Sequence, residues 1–264
     1  MSILYEPAGR AREYAPLAVN HYTGCSHGCQ YCYVPTLPQY KFQTDPRAAF
    51  HGHPASRKDV VAQLRREVTR NPGDGTRRVL LSFTTDPYQQ VNESLGLTRQ
   101  VIQVLHEGGY FVQVLTKGGL RSLADLDLFT PRDAYAATLT LVSDSASREW
   151  EPQAALPSER LYALSAFHMR GIPTWASLEP VLNPEAALEL IRQTHTFVDL
   201  YKVGKLNHHP LEKRIDWKRF AVDAVELLES VGAAYYVKDD LRAYLPAGFE
   251  HGAHERTARE IESF

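Results

Sequence analysis

The sequence predicts an α/β fold, a partial (β/α)6-type TIM barrel with parallel strands, on three observations. Short β-rich apolar runs alternate with longer stretches of helical periodicity, glycines and prolines punctuate the junctions, and polar residues gather just after the strands. Repeated β-then-α order implies parallel strands joined by right-handed crossovers. Six or seven such units close, or partly close, into a barrel.

Taken in order, strands are expected over 17–21, 79–84, 110–115, 135–142, 174–178, 197–203 and 234–237. Helices are expected over 58–70, 97–106, 120–129, 158–170, 185–194 and 217–230, each with apolar residues at three- and four-residue steps, such as Val101 and Leu105 or Val222 and Val225. Gly108-Gly109, Gly171 before Pro173, and Gly232 stand where helices end. Asn183-Pro184 and Ser158 stand where N-terminal caps belong. No repeat, low-complexity tract or linker interrupts the pattern, so one domain over 1–264 is expected, with its polar loop at 23–34.

Composition narrows the function. With 44% hydrophobic and 23% charged residues the chain suits a soluble globular protein. A formal charge of −2 gives no bulk attraction to nucleic acid or anionic membrane, although a local basic groove stays open. No apolar run approaches the roughly 20 residues that span a bilayer, and the first residues lack the basic-then-apolar order of a secretory signal. A cytoplasmic protein is expected. The three cysteines all lie within eight residues, an odd, clustered set that makes a poor disulfide framework. Their use is chemistry or metal.

The cysteine segment is Thr23-Gly24-Cys25-Ser26-His27-Gly28-Cys29-Gln30-Tyr31-Cys32-Tyr33. Thiolates are soft ligands suited to iron–sulfur clusters, and a complete cubane takes four; three leave one iron open for binding and reaction. Gly24 and Gly28 let the loop wrap tightly and bring amide N–H groups towards cluster sulfurs. The competing readings are a Cys3His zinc site using His27 or His21, and three buried structural thiols. Structural zinc usually joins two ligand pairs across a longer loop, and polar residues and glycines surround these thiols.

Cys-x3-Cys-x-aromatic-Cys after a first strand resembles the radical S-adenosylmethionine superfamily. The resemblance implies that Cys25, Cys29 and Cys32 hold a 4Fe–4S cluster whose fourth iron is chelated by the methionyl end of S-adenosylmethionine, with Tyr31 beside the adenine. Further segments are similar to the spore photoproduct lyase-related, DNA repair photolyase-like branch. These are Asn20-His21-Tyr22, Thr85-Asp86-Pro87-Tyr88, Leu97-Thr98-Arg99, Thr116-Lys117, Glu151-Pro152 and Arg160-Leu161, so the resemblance spans about residues 14–182. It implies reductive cleavage of S-adenosylmethionine to a 5′-deoxyadenosyl radical, hydrogen abstraction from DNA or another nucleobase-containing substrate, and a flavodoxin- or ferredoxin-like electron donor. Spore photoproduct lyases proper carry a hydrogen-donating cysteine near the end of the second strand. Here the residues are Ser82-Phe83-Thr84-Thr85, and no fourth cysteine exists.

In a (β/α) barrel the C-terminal rim carries the site. Lys117 resembles the family position that meets the methionyl carboxylate. Thr84, Thr85 and Asp86 are candidates for the amino group or ribose, with a turn-starting role competing for Asp86. Ser143 and Asp144 are ribose candidates, with helix capping as the alternative. Glu151 pairs with Arg160 as scaffold, while Glu179, Lys202 and Lys205 face the mouth as substrate or salt-bridge residues. Tyr88, or else Tyr22 or Tyr33, is the candidate hydrogen relay. His51 and His53, His208 and His209, and the arginines around Arg65 and Arg77 are expected in solvent. A radical activase acting on a protein or peptide is the enzymatic alternative, although such families usually show Gly-Gly-Glu where this chain has Thr84-Thr85-Asp86. A zinc-stabilised nucleic-acid-binding module is the non-enzymatic one.

Overall fold

The computed structural model describes residues 2–40, 42–249 and 252–262; positions 1, 263 and 264, at the ends of the expected domain, lie outside them. One eight-stranded sheet organises the molecule. Its strands are β1 (Leu4–Tyr5), β2 (Leu17–Val19), β5 (Arg78–Leu81), β6 (Phe111–Thr116), β7 (Ala134–Thr138), β8 (Thr174–Leu178), β9 (Leu200–Val203) and β10 (Tyr235–Val237), hydrogen-bonded in that order. A separate two-stranded ladder pairs β3 (Tyr22–Thr23) with β4 (Ala55–Ser56). From β2 to β10 every pairing is parallel, while β1 runs antiparallel to β2. The α/β core therefore stands as expected, but the sheet is mixed and no ladder joins β10 back to β1 among the described residues. The barrel is open at that seam.

The crossovers follow from the pattern. α2 (Val60–Arg70), α4 (Leu97–Glu107), α6 (Pro157–Met169), α7 (Pro184–Thr194) and α8 (Trp217–Ser230) lie close to the expected helices, whereas the third crossover, Gly119–Leu128, winds as a 3-10 helix. Asn183 caps α7 through the Ala186 N–H as expected. Ser158 does not cap α6. Leu156 holds that position, Pro157 fills the first turn, and the Glu159 carboxylate accepts from the Leu156 N–H at 2.7 Å. Short helices α1 (Pro46–His51), α3 (Val91–Leu95), α5 (Asp144–Trp150), α9 (Asp239–Arg242) and α10 (Ala258–Glu262) complete the chain.

Strand residues alternate between two apolar layers, as two-sided burial requires. Val79, Leu81, Val112, Val114, Tyr201 and Val203 face the helices, while Ala18, Leu80, Ala136, Trp175, Leu200 and Tyr236 fill the barrel interior. Small residues on β2 and β7 leave room for Trp175, and the Lys202 ammonium lies 4.5 Å from the centre of that ring. The seam is bridged by polar contacts from the 3-10 turn Gly9–Glu13 and from Tyr14. Lys202 Nζ donates to the Glu13 and Tyr14 carbonyls, Gln113 Nε2 donates to Tyr14 O at 2.8 Å, and Tyr236 OH donates to the Glu13 carboxylate at 3.1 Å. Residues 254–256 bind along β10 through Tyr235, and Ile261 packs into the inner layer. That side of the sheet is thereby covered.

Candidate active site

The β3–β4 ladder pinches together the two ends of a loop that carries all three cysteines. Gly24 sits at φ +74°, where a side-chain Cβ would lie 2.7 Å from the Phe50 carbonyl oxygen; that oxygen accepts from the Cys25 N–H. Only glycine allows this approach. Gln89, buried just after the Asp86-Pro87-Tyr88 turn, clamps the loop from below. Its amide oxygen accepts from the Ser26 N–H at 2.9 Å and its nitrogen donates to Gly24 O at 3.2 Å. Arg47 Nη2 donates to Cys29 O at 2.7 Å.

Cys25, Cys29 and Cys32 line one cavity of about 460 Å3 at the C-terminal ends of the strands. Burial pushes the Cys29 thiol up to about 12 and raises Cys25 and Cys32 as well. Thiols in such a place keep their protons at neutral pH until a bound cation displaces them. Among the described residues, no three His, Cys, Asp or Glu side chains converge as the shell of one ion. In a cubane each thiolate binds its own iron, so the donors need not converge on one point. The imidazoles considered for zinc are held elsewhere. His27 Nδ1 lies 3.5 Å from Asp86 and its Nε2 3.3 Å from Arg121, while His21 bonds Thr98 and Ser82.

Tyr31, Thr84, Thr85, Asp86 and Lys117 line the same cavity. Tyr31 donates its hydroxyl to the buried Glu151 carboxylate, which also accepts from Thr140 Oγ1 at 2.8 Å and pairs with Arg160, the expected scaffold. Lys117 Nζ lies 5.6 Å from the Tyr31 ring centre. Asp86 reaches the cavity wall, but its carboxylate is used by the chain: it accepts from the Tyr88 N–H at 2.8 Å, Thr116 Oγ1 at 2.6 Å and the Lys117 N–H at 2.7 Å. Burial works against that charge, and His27 with these donors lowers the pKa nevertheless. The turn-forming role prevails for Asp86. Thr84 anchors its N–H on Asn20 Oδ1, and Thr85 Oγ1 is buried without a hydrogen-bond partner among the described residues.

Five expected residues, Ser143, Asp144, Tyr88, Tyr22 and Lys202, lie off the cavity. Ser143 caps α5 through the Ala146 N–H, Asp144 reaches Ser158 at 3.4 Å, and neither lines the cavity, so capping is the role the local backbone uses. Tyr88 is fully buried in the helix-facing core with its hydroxyl towards Asp125. It does not line the cavity. Tyr22 is likewise buried, donating to Asn92, whereas Tyr33 lines the cavity. Of the lysines, Lys205 lines the cavity and Lys202 does not.

Sequence reasoning missed Tyr14 and Asn207, which line the cavity together with Lys238, and it expected in solvent His51 and His208, which line it too. Tyr14 OH donates to Glu179, whose Oε2 also accepts from Lys238 Nζ at 2.6 Å. Gly204 makes that meeting possible, since a Cβ there would lie 2.9 Å from Glu179 Cδ and 3.0 Å from Lys238 Cδ. A lone glycine directly after a strand was the available signal.

The sequence model of the Radical SAM superfamily matches residues 19–198, from the first barrel strand to the approach of β9. The chain belongs to the radical SAM superfamily. The family implies the 4Fe–4S and S-adenosylmethionine pair. It is 30% identical over 169 residues to uncharacterized proteins of Mycobacterium tuberculosis and Mycobacterium bovis, covering 62% of this chain and 49% of each relative. The chain thus spans about half the length of the curated relatives it matches. Among solved structures, Streptococcus suis SuiB bound to S-adenosylmethionine superposes with TM-score 0.61 at 10% identity, over 89% of this chain and 53% of that one. Spore photoproduct lyase complexed with dinucleoside spore photoproduct gives 0.62 at 15%, over 85% and 76%. Both likenesses are of fold. No helix among the described residues is long and apolar enough to cross a membrane.

Proposed function

We propose that this radical SAM chain uses Cys25, Cys29 and Cys32 to hold a 4Fe–4S cluster and the β5–β7 rim to hold S-adenosylmethionine, abstracting hydrogen from a nucleobase-containing substrate. The observation that carries the cofactor reading is the shared cavity: three thiols, Tyr31, Lys117 and the unpartnered Thr85 hydroxyl face one space. When bound, the pair supplies reductive cleavage of S-adenosylmethionine and hydrogen abstraction. Lys117 offers its ammonium to the methionyl carboxylate, Tyr31 its ring to the adenine, and Thr84 and Thr85 their hydroxyls to amino or ribose groups. Glu151 fixes the Tyr31 ring. Leu80, Phe83 and Leu115 make the inner wall apolar and keep water out.

The rim beyond the cofactor residues supports a base rather than a phosphate as the part of the substrate that enters. Lys238 is matched by Glu179 and Glu13, and Lys205 by Glu212 at 2.5 Å. Phosphates of a DNA or nucleotide substrate then stay outside the cavity, and a flavodoxin- or ferredoxin-like protein donates the electron. With every cysteine committed to iron, a substrate radical is quenched without a thiol. The test is anaerobic 5′-deoxyadenosine release with dithionite, comparing DNA, RNA, nucleotides and peptides. Acceleration by a nucleobase-containing substrate, with spore photoproduct DNA left largely unrepaired, is expected. Acceleration by peptides alone would remove the nucleobase reading, and rapid reversal of spore photoproduct to two thymines would overturn the thiol argument.

A further inference from the structure

The cavity wall between the cysteines and α1 carries a group that the proposed chemistry leaves unused. His51 is the last residue of α1, a helix capped by Asp45 through the Ala48 N–H. Its Nδ1 lies 2.8 Å from the Cys25 carbonyl oxygen. A carbonyl only accepts, so Nδ1 carries the hydrogen and Nε2 of the neutral ring keeps a lone pair. Phe50 packs edge-on against the ring with centroids 4.9 Å apart, which holds its orientation.

Nε2 is buried and has no hydrogen-bond partner among the described residues, and the ring lines the cavity that holds Cys25, Cys29 and Cys32. A buried lone pair without a donor is unfavourable, and an electron-pair acceptor in the cavity removes the cost. One ring nitrogen pinned to a backbone carbonyl with the other left bare is the arrangement that metal-binding histidines adopt. His27, a fully buried imidazole of the same cavity, has both nitrogens engaged by Asp86 and Arg121. Histidine nitrogen is a competent iron ligand in iron–sulfur chemistry.

We propose that His51 is a displaceable fourth protein ligand of the cluster. Resting on the cluster reading above, it binds the iron that the three cysteines leave open while S-adenosylmethionine is absent. A dative Nε2–iron bond forms in that state and breaks when the methionyl amine and carboxylate take the iron; the methionyl ammonium gives up one proton to water as its nitrogen becomes the donor, and no electron is transferred. The ligand exchange keeps the open iron from solvent between turnovers.

Pulsed EPR of reduced, reconstituted protein carrying 15N-labelled histidine tests this directly. A coupling of the size of an iron-bonded 15N is expected without S-adenosylmethionine, and its loss on saturation with the cofactor. His51→Phe, which keeps the ring packing, should lose the coupling at unchanged iron and sulfide content. A full cluster without a bonded histidine nitrogen overturns the proposal, as does a coupling that survives in His51→Phe. Failure of the wild-type chain to take up a cluster at all counts against the cluster reading instead, so the two failures are told apart.

Discussion

Burial works against the Glu151 carboxylate, yet the Arg160 and Lys117 charges and the hydrogen bonds from Arg160 and Tyr31 hold its pKa down to about 2. A depressed folded pKa gives stability that is fully present above the ordinary glutamate range and is lost as pH falls towards 2. Urea unfolding of the cluster-free protein should therefore show stability falling between about pH 5 and pH 2, on the order of 1–3 kcal/mol from this residue. Glu151→Gln should be destabilised at pH 7 and show a shallower fall. An equal pH slope in both proteins would remove Glu151 as the source. Lys117→Ala should take up iron and sulfide normally but bind S-adenosylmethionine roughly ten- to a hundred-fold more weakly, by the loss of a charge-assisted hydrogen bond. Calorimetric titration measures it, and an unchanged affinity would take Lys117 out of the site. The Glu151–Arg160 pair was legible in the sequence because both residues fall in the family-like segments Glu151-Pro152 and Arg160-Leu161. The direction of Tyr88 was not, since one residue's offset after a turn decides between mouth and core. His51 was hidden because Gly52 and Pro54 suggest an exposed loop, although Asp45-Pro46 ahead of it was a helix-start signal.

Among elements, the strand and helix positions followed closely from periodicity and punctuation, which long buried segments make strong. Strand β1 and the contacts of 254–256 were not legible, because two or three residues set by tertiary packing leave no period. The 3-10 winding of Gly119–Leu128 was read as an ordinary helix for its apolar spacing. Its first residue sits at φ +53°, with the Ala155 and Glu159 side chains where a Cβ would go. The cysteine loop owes its shape to Gly24. Gly24→Ala should strain the backbone and collide with the Phe50 carbonyl, costing on the order of 1–3 kcal/mol and lowering cluster occupancy. Gly75→Ala has the same left-handed backbone with open space around it, so it separates strain from collision. Thermal unfolding and iron per chain read the pair. Full occupancy in Gly24→Ala would mean that the loop does not need this glycine.

At the scale of the molecule, an open barrel brings the cysteine loop, the β5–β7 turns and the Tyr14–Glu179–Lys238 group to one mouth from segments far apart in the chain. The sequence announced the rim by polar residues after each strand, and Thr84, Thr85, Asp86 and Lys117 line that mouth. The Tyr14–Glu179–Lys238 group was legible only in part, because Tyr14 arrives from the seam rather than from a strand end. The central claim is that this mouth is built around a thiolate-held cluster with one open iron. Iron and acid-labile sulfide measured per chain after anaerobic reconstitution test it most directly, with Cys25→Ala, Cys29→Ala and Cys32→Ala alongside. The account predicts about four of each in the wild type and loss of the cluster in every variant, since two thiolates do not hold it. One tightly bound zinc per chain, with no cluster installable, would contradict it.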